Sequence, residues 1–204
     1  SALKYATQWR LPLVRLLDAV GGSVRTFEQL GRTYLPDSPG TSLAVELLNQ
    51  VPVVSAVMGS VAGLPAIEAC LCHFNVMVKD TSQVFAGGPP VVKAALGYNI
   101  TKEELGDHRS QVFTAGVIDN LADSEEEAFE MIRKFLSFMP SNVWKKPERI
   151  ETDDDPERRD EELLSIIPRN PRRSYDPRKI LEHVLDRDSF FEIAPHHGRA
   201  RITG

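Results

Sequence analysis

Val51 to Met58 is a nearly unbroken apolar run. It ends at a turn that opens and closes on glycine, Gly59-Ser60-Val61-Ala62-Gly63. A run without alternation suits a strand covered on both faces, the usual situation in a parallel sheet. Pro65 follows at once. A prolyl residue fits the first turn of a helix, because the N–H it lacks has no intrahelical acceptor there. The order is therefore strand, glycine turn, helix, with the helix predicted over Pro65–Cys72.

The same order occurs twice more. Leu11–Asp18 reads as a buried strand, Gly21-Gly22 as a tight turn, and Val24–Tyr34 as a helix. Phe74–Val78 and Val84–Phe85 read as short strands; Gly87-Gly88-Pro89-Pro90 then leads to a helix over Val91–Leu96. Between these units, Pro36–Gly40 reads as a loop and Ser42 as the cap of a short helix ending at Leu48. The repeated order predicts an α/β fold with ligands at the strand ends.

Further along, Ser124-Glu125-Glu126-Glu127 is a capping-box pattern. Ala128, Ile132, Phe135 and Met139 follow at helical spacing up to Pro140 and mark a structural helix. From Lys145 to Glu162, 14 of 18 residues are ionisable and nine are acidic, the composition of a solvated linker. Adjacent carboxylates such as Asp153-Asp154-Asp155 do not form a cation cage. A second unit opens near Ser174, with Asp176 and Pro177 as N-cap and first helical residue, Ile180, Val184 and Leu185 on the helix, and a strand at Phe190–Ile193. Ser1–Arg10 resembles a helix interior and Arg199–Gly204 a strand, so both ends read as cut from a larger protein.

Hydrophobic residues make up 42% of the 204 and charged residues 26%, as in folded domains, while the net charge of −5 argues against a nucleic-acid binder. No run approaches the ~20 apolar residues of a membrane span. Cys70 and Cys72 are two apart in an apolar stretch and read as buried free thiols of a reducing compartment, with no second pair to complete a metal site.

The glycine turns are where chemistry is expected, since glycine lets backbone approach a ligand and the N–H groups opening a helix can hold an anion. They match neither a dinucleotide fingerprint nor a P-loop nor a nucleophile elbow. His73, His108, His183, His196 and His197 have no evident nucleophile partner. Backbone stabilisation of an oxyanion is the economical mechanism left.

Met77-Val78-Lys79-Asp80-Thr81-Ser82, then Phe85, Gly88-Pro89, Val91-Val92-Lys93 and Glu103-Glu104-Leu105-Gly106, form a specific ordered set. It resembles the carboxyltransferase (β) subunit of biotin-dependent acyl-CoA carboxylases, the propionyl-CoA and methylcrotonyl-CoA carboxylase type. Ala115-Gly116-Val117 and Asp186–Ile193 extend the resemblance along nearly the whole chain.

The resemblance implies a crotonase-like (ClpP/crotonase) α/β fold. Residues 1–140 would be part of the acyl-CoA-binding N-terminal domain, 141–173 the charged linker, and 174–204 the start of the C-terminal domain. It implies CO₂ transfer from carboxybiotin, carried on a partner subunit, to the enolate of an acyl-CoA. A non-catalytic assembly subunit and a decarboxylase of the same fold are the alternatives. Gly63 and Leu64 are implied as the catalytic N–H donors; Gly21, Gly22, Ser23, Ala62, Gly87 and Gly88 would contact acyl-CoA, with no metal. The implied partners are a biotin carboxylase/biotin carrier subunit and further copies of the carboxyltransferase subunit, in bacterial cytoplasm or mitochondrial matrix. Leu64-Pro65, in place of the family's second glycine, and an apparent extra residue in the first turn are its departures.

Overall fold

The computed structural model describes residues 2–22, 24–32, 39–198 and 200–204, with side chains for all of these except residues 24, 25, 27 and 39–41. The first half contains α1 (Ala2–Trp9), β1 (Leu13–Leu17), α2 (Val24–Leu30), α3 (Pro39–Leu48), β2 (Val53–Val57), β3 (Ser60–Ala62), α4 (Leu64–Cys70), β4 (Phe74–Val78) and β5 (Gln83–Phe85). Then follow α5 (Pro89–Leu96), α6 (Lys102–Gly106), a π-helical segment (Arg109–Thr114), β6 (Asn120–Ala122), α7 (Glu125–Ser137), α8 (Leu163–Ile166) and α9 (Arg178–Val184).

Strands β1, β2, β4 and β6 lie side by side in that order, all parallel, and β3 pairs with β5 in a separate parallel ribbon. Strands β2 and β4 are buried along their whole lengths, which is why their sequences do not alternate. Val54, Ala56, Phe74, Val76 and Val78 pack against Ala128, Ile132 and Phe135 of α7. Phe74 stacks on Phe135 at 5.0 Å between centroids and meets Phe191 edge-on at 5.3 Å, geometries each worth about 0.5–1.5 kcal/mol beyond area burial. Val57 and Met77 join Val61, Ala66, Ala69, Val84 and Ile118 in a second cluster. That cluster ties the sheet to α4 and to the β3–β5 ribbon, and so fixes where the glycine turns sit.

Several expectations need correction. Leu11–Asp18 holds a strand, but β1 is an edge with Val14 39% and Leu16 56% exposed; an apolar run does not tell a central strand from an edge one. Ser42 lies inside α3, which begins at Pro39, so it is no cap. The second glycine turn contains β3, because residues 60–62 find a partner in Gln83–Phe85. Phe190–Ile193 forms no strand; among the described residues only an isolated antiparallel bridge, Ile193 to Thr203, links the two predicted terminal strands. The helix over Val24–Tyr34 ends at Leu30, and Thr33 and Tyr34 lie outside the described residues, as do Ser1 and Arg199.

The capping box at α7 is shifted by one residue. Ser124 Oγ accepts from the Glu127 N–H at 3.1 Å, but the Glu127 carboxylate takes the Asp123 N–H at 2.6 Å instead of that of Ser124. Asp176 acts close to where expected, accepting the Arg178 N–H at 3.0 Å. The thiols are less enclosed than expected, Cys70 being exposed and Cys72 half-buried, and both are free.

The charged stretch is mostly exposed but is fastened to α9. Arg158 donates to the carbonyls of His183 at 2.8 Å and Leu185 at 3.2 Å, where helix carbonyls lack intrahelical partners. Asp154 holds Arg158 at 3.3 Å and Arg187 at 3.2 Å, and His183 Nδ1 lies 2.9 Å from Asp160. Among the described residues no helix is long and apolar enough to cross a membrane.

Candidate functional site

The first and second glycine turns meet backbone to backbone. Strand β1 delivers the first turn beside β2, with the Met58 N–H bonded to Leu17 O at 2.8 Å and the Ala62 N–H to Ala19 O at 3.0 Å. A Cβ on Gly63 would stand 3.4 Å from Gly21 Cα, and one on Gly21 would stand 3.7 Å from Ala62 O. Gly63 also has φ of +72°, a region that side chains disfavour. Glycine at position 63 therefore follows from its conformation as well as from its neighbour. Gly59, where the turn opens, lies against the Asp18 carboxylate, so that a Cβ there would be 3.0 Å from Oδ2 and nearer still to the rest of the group.

The third turn is joined to the second through one carbonyl. The Gly63 N–H donates to Phe85 O at 3.2 Å, two residues before Gly87. Gly88 then caps α5 with extended backbone, and Pro89 and Pro90 bring no N–H. The structure thus brings together Gly21, Gly22, Ala62, Gly63 and Leu64, and attaches Gly87 and Gly88 through Phe85. Ser23 lies outside the described residues.

This arrangement corrects the expected pair of donors. Gly63 does not offer a free N–H, because the β3–β5 ribbon engages it. At the start of α4, Ala66 and Ile67 both bond to Gly63 O, at 3.0 and 3.3 Å, and Pro65 has no N–H. Among the described residues the Leu64 N–H has no acceptor, and neither do those of Gly21 and Gly22 in the first turn. Unpaired N–H groups at a glycine turn are suited to an oxygen that gains negative charge. Leu64 is 41% exposed and Ile67, one turn on, 53%, so the free donor has an apolar margin.

The far end of α4 is held by polar side chains. Arg15 donates to the Glu68 and Leu71 carbonyls, both at 2.9 Å, and Asn75 Nδ2 to Ala69 O at 3.2 Å. Asn75 and Asp119 exchange two further hydrogen bonds, Asn75 N–H to the carboxylate at 2.9 Å and Asp119 N–H to the amide oxygen at 2.6 Å. Burial raises the Asp119 carboxyl above its ordinary value, and the Asn75 N–H partly offsets this. Burial, above all, pushes the Cys72 thiol up to about 11. These groups fix the helix whose first residue is Leu64.

The histidines lie elsewhere. His73 Nδ1 accepts the Val53 N–H at 3.0 Å, and His108 and His196 pack edge-on against Phe113 at 5.8 and 4.7 Å. His197 covers Gly116, where a Cβ would come within 2.6 Å of ring Cδ2. Phe85 and Gly106 were not singled out as site residues, yet both shape the turn. Gly106 lets α6 lie against β5, since its Cβ would be 2.7 Å from Phe85 Cδ1 and closer to Val84 O. A glycine ending the Glu103–Gly106 set was the only sequence sign of this.

The chain matches the family described as carboxyl transferase domain over residues 2–204. It is 40% identical over 154 residues to the propionyl-CoA carboxylase carboxyltransferase subunit of Haloferax mediterranei, covering 76% of this chain and 30% of that protein. It is 35% identical over 153 residues to the methylmalonyl-CoA decarboxylase subunit alpha of Veillonella parvula, covering 75% and 30%. The crystal structure of transcarboxylase 12S with hydrolysed methylmalonyl-CoA superposes with a TM-score of 0.82 at 22% identity, over 98% of this chain and 39% of that one. The chain spans about a third of the length of these proteins. Its α/β fold is the crotonase-like one of the carboxyltransferases, and the chain belongs to the carboxyl transferase domain family.

Proposed function

We propose that this chain is the acyl-CoA-handling part of a biotin-dependent carboxyltransferase, acting on the thioester of an acyl-CoA. The observation that supports it most is the free Leu64 N–H at the junction of the Gly21-Gly22 and Ala62-Gly63 turns. Removing the α-proton of a thioester moves charge onto the carbonyl oxygen, and a positioned N–H lowers the barrier by stabilising that charge. Leu64 is the donor of this turn, and Gly63 holds it against Gly21, the first turn bringing its own unpaired N–H groups. Ala62, Gly87 and Gly88 line the approach of the acyl-CoA, and Ser23 is assigned to acyl-CoA binding by the family resemblance alone. These donors fit a thioester oxygen. Carboxybiotin, delivered on a partner subunit, would supply the CO₂ that the enolate captures, and the ureido nitrogen freed when that N–C bond breaks would take the α-proton; the residues that hold it would belong to the second domain beginning near 174.

The remaining assignments are part of the same proposal: residues 1–140 as acyl-CoA domain, 141–173 as linker, copies of the subunit and a biotin carboxylase/biotin carrier subunit as partners, and bacterial cytoplasm or mitochondrial matrix as compartment. The test is acyl-CoA-dependent fixation of labelled bicarbonate by the full-length subunit with its biotin partner. Absence of turnover on acetyl-, propionyl-, butyryl- and methylcrotonyl-CoA overturns the carboxylase reading. The 35% identity to a decarboxylase subunit favours one second reading, transfer from acyl-CoA to biotin. Release of CO₂ from methylmalonyl-CoA without ATP would identify it. Thermal stabilisation by acyl-CoA separates both from a purely structural subunit.

A further inference from the structure

Strand β1 turns Leu13, Arg15 and Leu17 inward and Val14 and Leu16 outward. Arg15, between two leucines, is the one charged side chain of the strand, and it enters no ion pair among the described residues. Its Nη1 donates to two carbonyls at the end of α4, those of Glu68 and Leu71, both at 2.9 Å. Carbonyls there lack intrahelical donors, and a cation at that end suits the helix dipole. Nη2 is buried with no hydrogen-bond partner among the described residues. A buried donor left unpaired is unfavourable, so stability alone is a weak reason for an arginine at this place. Ser55 on β2 and Asn75 on β4 reach the same helix end, at 3.4 Å to Glu68 O and 3.2 Å to Ala69 O. Among the described residues Arg15 alone reaches it by a side-chain hydrogen bond from the strand that leads into the Gly21-Gly22 turn.

We propose that Arg15 is a positioning residue for the reaction at Leu64, fixing the aim of the Leu64 N–H relative to the first glycine turn. This rests on the carboxyltransferase reading given above. Helix α4, which Leu64 opens, is joined to β1 and the turn after it at both ends. At its start the Ala62 N–H bonds to Ala19 O at 3.0 Å, and a Cβ on Gly63 would stand 3.4 Å from Gly21 Cα. At its end Arg15 holds the Glu68 and Leu71 carbonyls. Gly63, with its φ of +72°, is the joint about which the helix would tilt if the far end were released. The seven residues of α4 span about 10 Å, so a shift at one end turns the N–H at the other. Rate is sensitive to such shifts: a misplacement of about 1 Å can lower it by about 10².

Labelled-bicarbonate fixation by the full-length subunit with its biotin partner tests this on two variants. Arg15→Met keeps the aliphatic stem, and Arg15→Lys keeps a cation with donors for both carbonyls. Arg15→Met is expected to lower kcat about tenfold, because Ser55 and Asn75 still hold the helix end, with an acyl-CoA KM within about twofold of wild type. Arg15→Lys should recover most of that loss. A side chain that only caps a helix or guards a sheet edge predicts a lower melting temperature with kcat of the folded protein unchanged. That result overturns the proposal, as does an Arg15→Lys no better than Arg15→Met. Should Arg15→Met not fold, Arg15→Gln, with its one amide donor group, carries the same comparison. Hydrogen exchange separates the proposal from the reading beneath it. The Ala66 and Ile67 N–H groups bond to Gly63 O at the opening of α4, away from Arg15. They should exchange faster in Arg15→Met even if the wild type fixes no bicarbonate, an outcome that would sink the carboxylase reading alone. Unchanged exchange at both amides overturns the role of Arg15.

Discussion

Gly106→Ala tests how the candidate site is supported. The added methyl would lie 2.7 Å from Phe85 Cδ1 and 3.0 Å from Val84 C, with Val84 O closer still. Two of these are backbone atoms of β5, which is paired to β3 along its length and cannot step aside alone. Overpacking of this kind costs about 1–3 kcal/mol. In a domain of this size each kcal/mol lowers the melting temperature by about 2–4 °C, so the expected fall is roughly 2–12 °C. The displacement also reaches the site, because Phe85 O accepts the Gly63 N–H. Gly97→Ala is the control: its φ of +79° brings backbone strain, of about 1 kcal/mol, but nothing stands within 4 Å of the new methyl. Thermal melts of both variants, with acyl-CoA affinity measured alongside, decide the matter. If Gly106→Ala melts with the wild type, or if both variants affect acyl-CoA binding equally, the packing of α6 does not support the turn.

Leu64→Pro deletes the free N–H while keeping a residue type that suits a helix start; turnover is expected to fall by about 10²–10³ with little change in melting temperature. Unchanged turnover would remove Leu64 from the site. Asn120→Ala breaks the bonds to Glu192 O and Ala194 N, both 3.0 Å, and leaves two partly buried groups unpaired. Each costs about 1–3 kcal/mol, and hydrogen exchange should show the Ala194 N–H losing protection before the sheet does. Cys72 gives a pH dependence. Its folded-state value of about 11 exceeds the ordinary 9.0, so its contribution to stability is constant below pH 9 and is lost as pH rises through 11. The full effect is at most about 2.7 kcal/mol, less for a half-buried thiol, and urea midpoints of Cys72→Ala should lack that alkaline decline.

Residues whose surroundings are local were legible. Val51–Met58 is apolar on both faces and β2 is buried on both. Leu11–Leu17 has nearly the same pattern, but strand order puts it at the edge, and order depends on contacts with segments far along the chain. Ser60–Ala62 looked like turn because three residues show no period; they are a strand only since Gln83–Phe85 arrives beside them. The site divides the same way. Pro65 in sequence already shows that the helix start has few donors, whereas the engagement of the Gly63 N–H depends on a carbonyl at Phe85. A backbone acceptor leaves no mark in the identity of its residue.

The Asn120 side chain clasps the backbone of residues 192 and 194 across 72 and 74 positions of chain. With both ends of that long excursion held, its length is nearly free to change: doubling a flexible loop costs only about 0.6 kcal/mol in closure entropy. Relatives and engineered forms can therefore vary the exposed stretch after α7 widely without moving the sheet. A protease that nicks it should release no fragment, since the two pieces remain joined through β6.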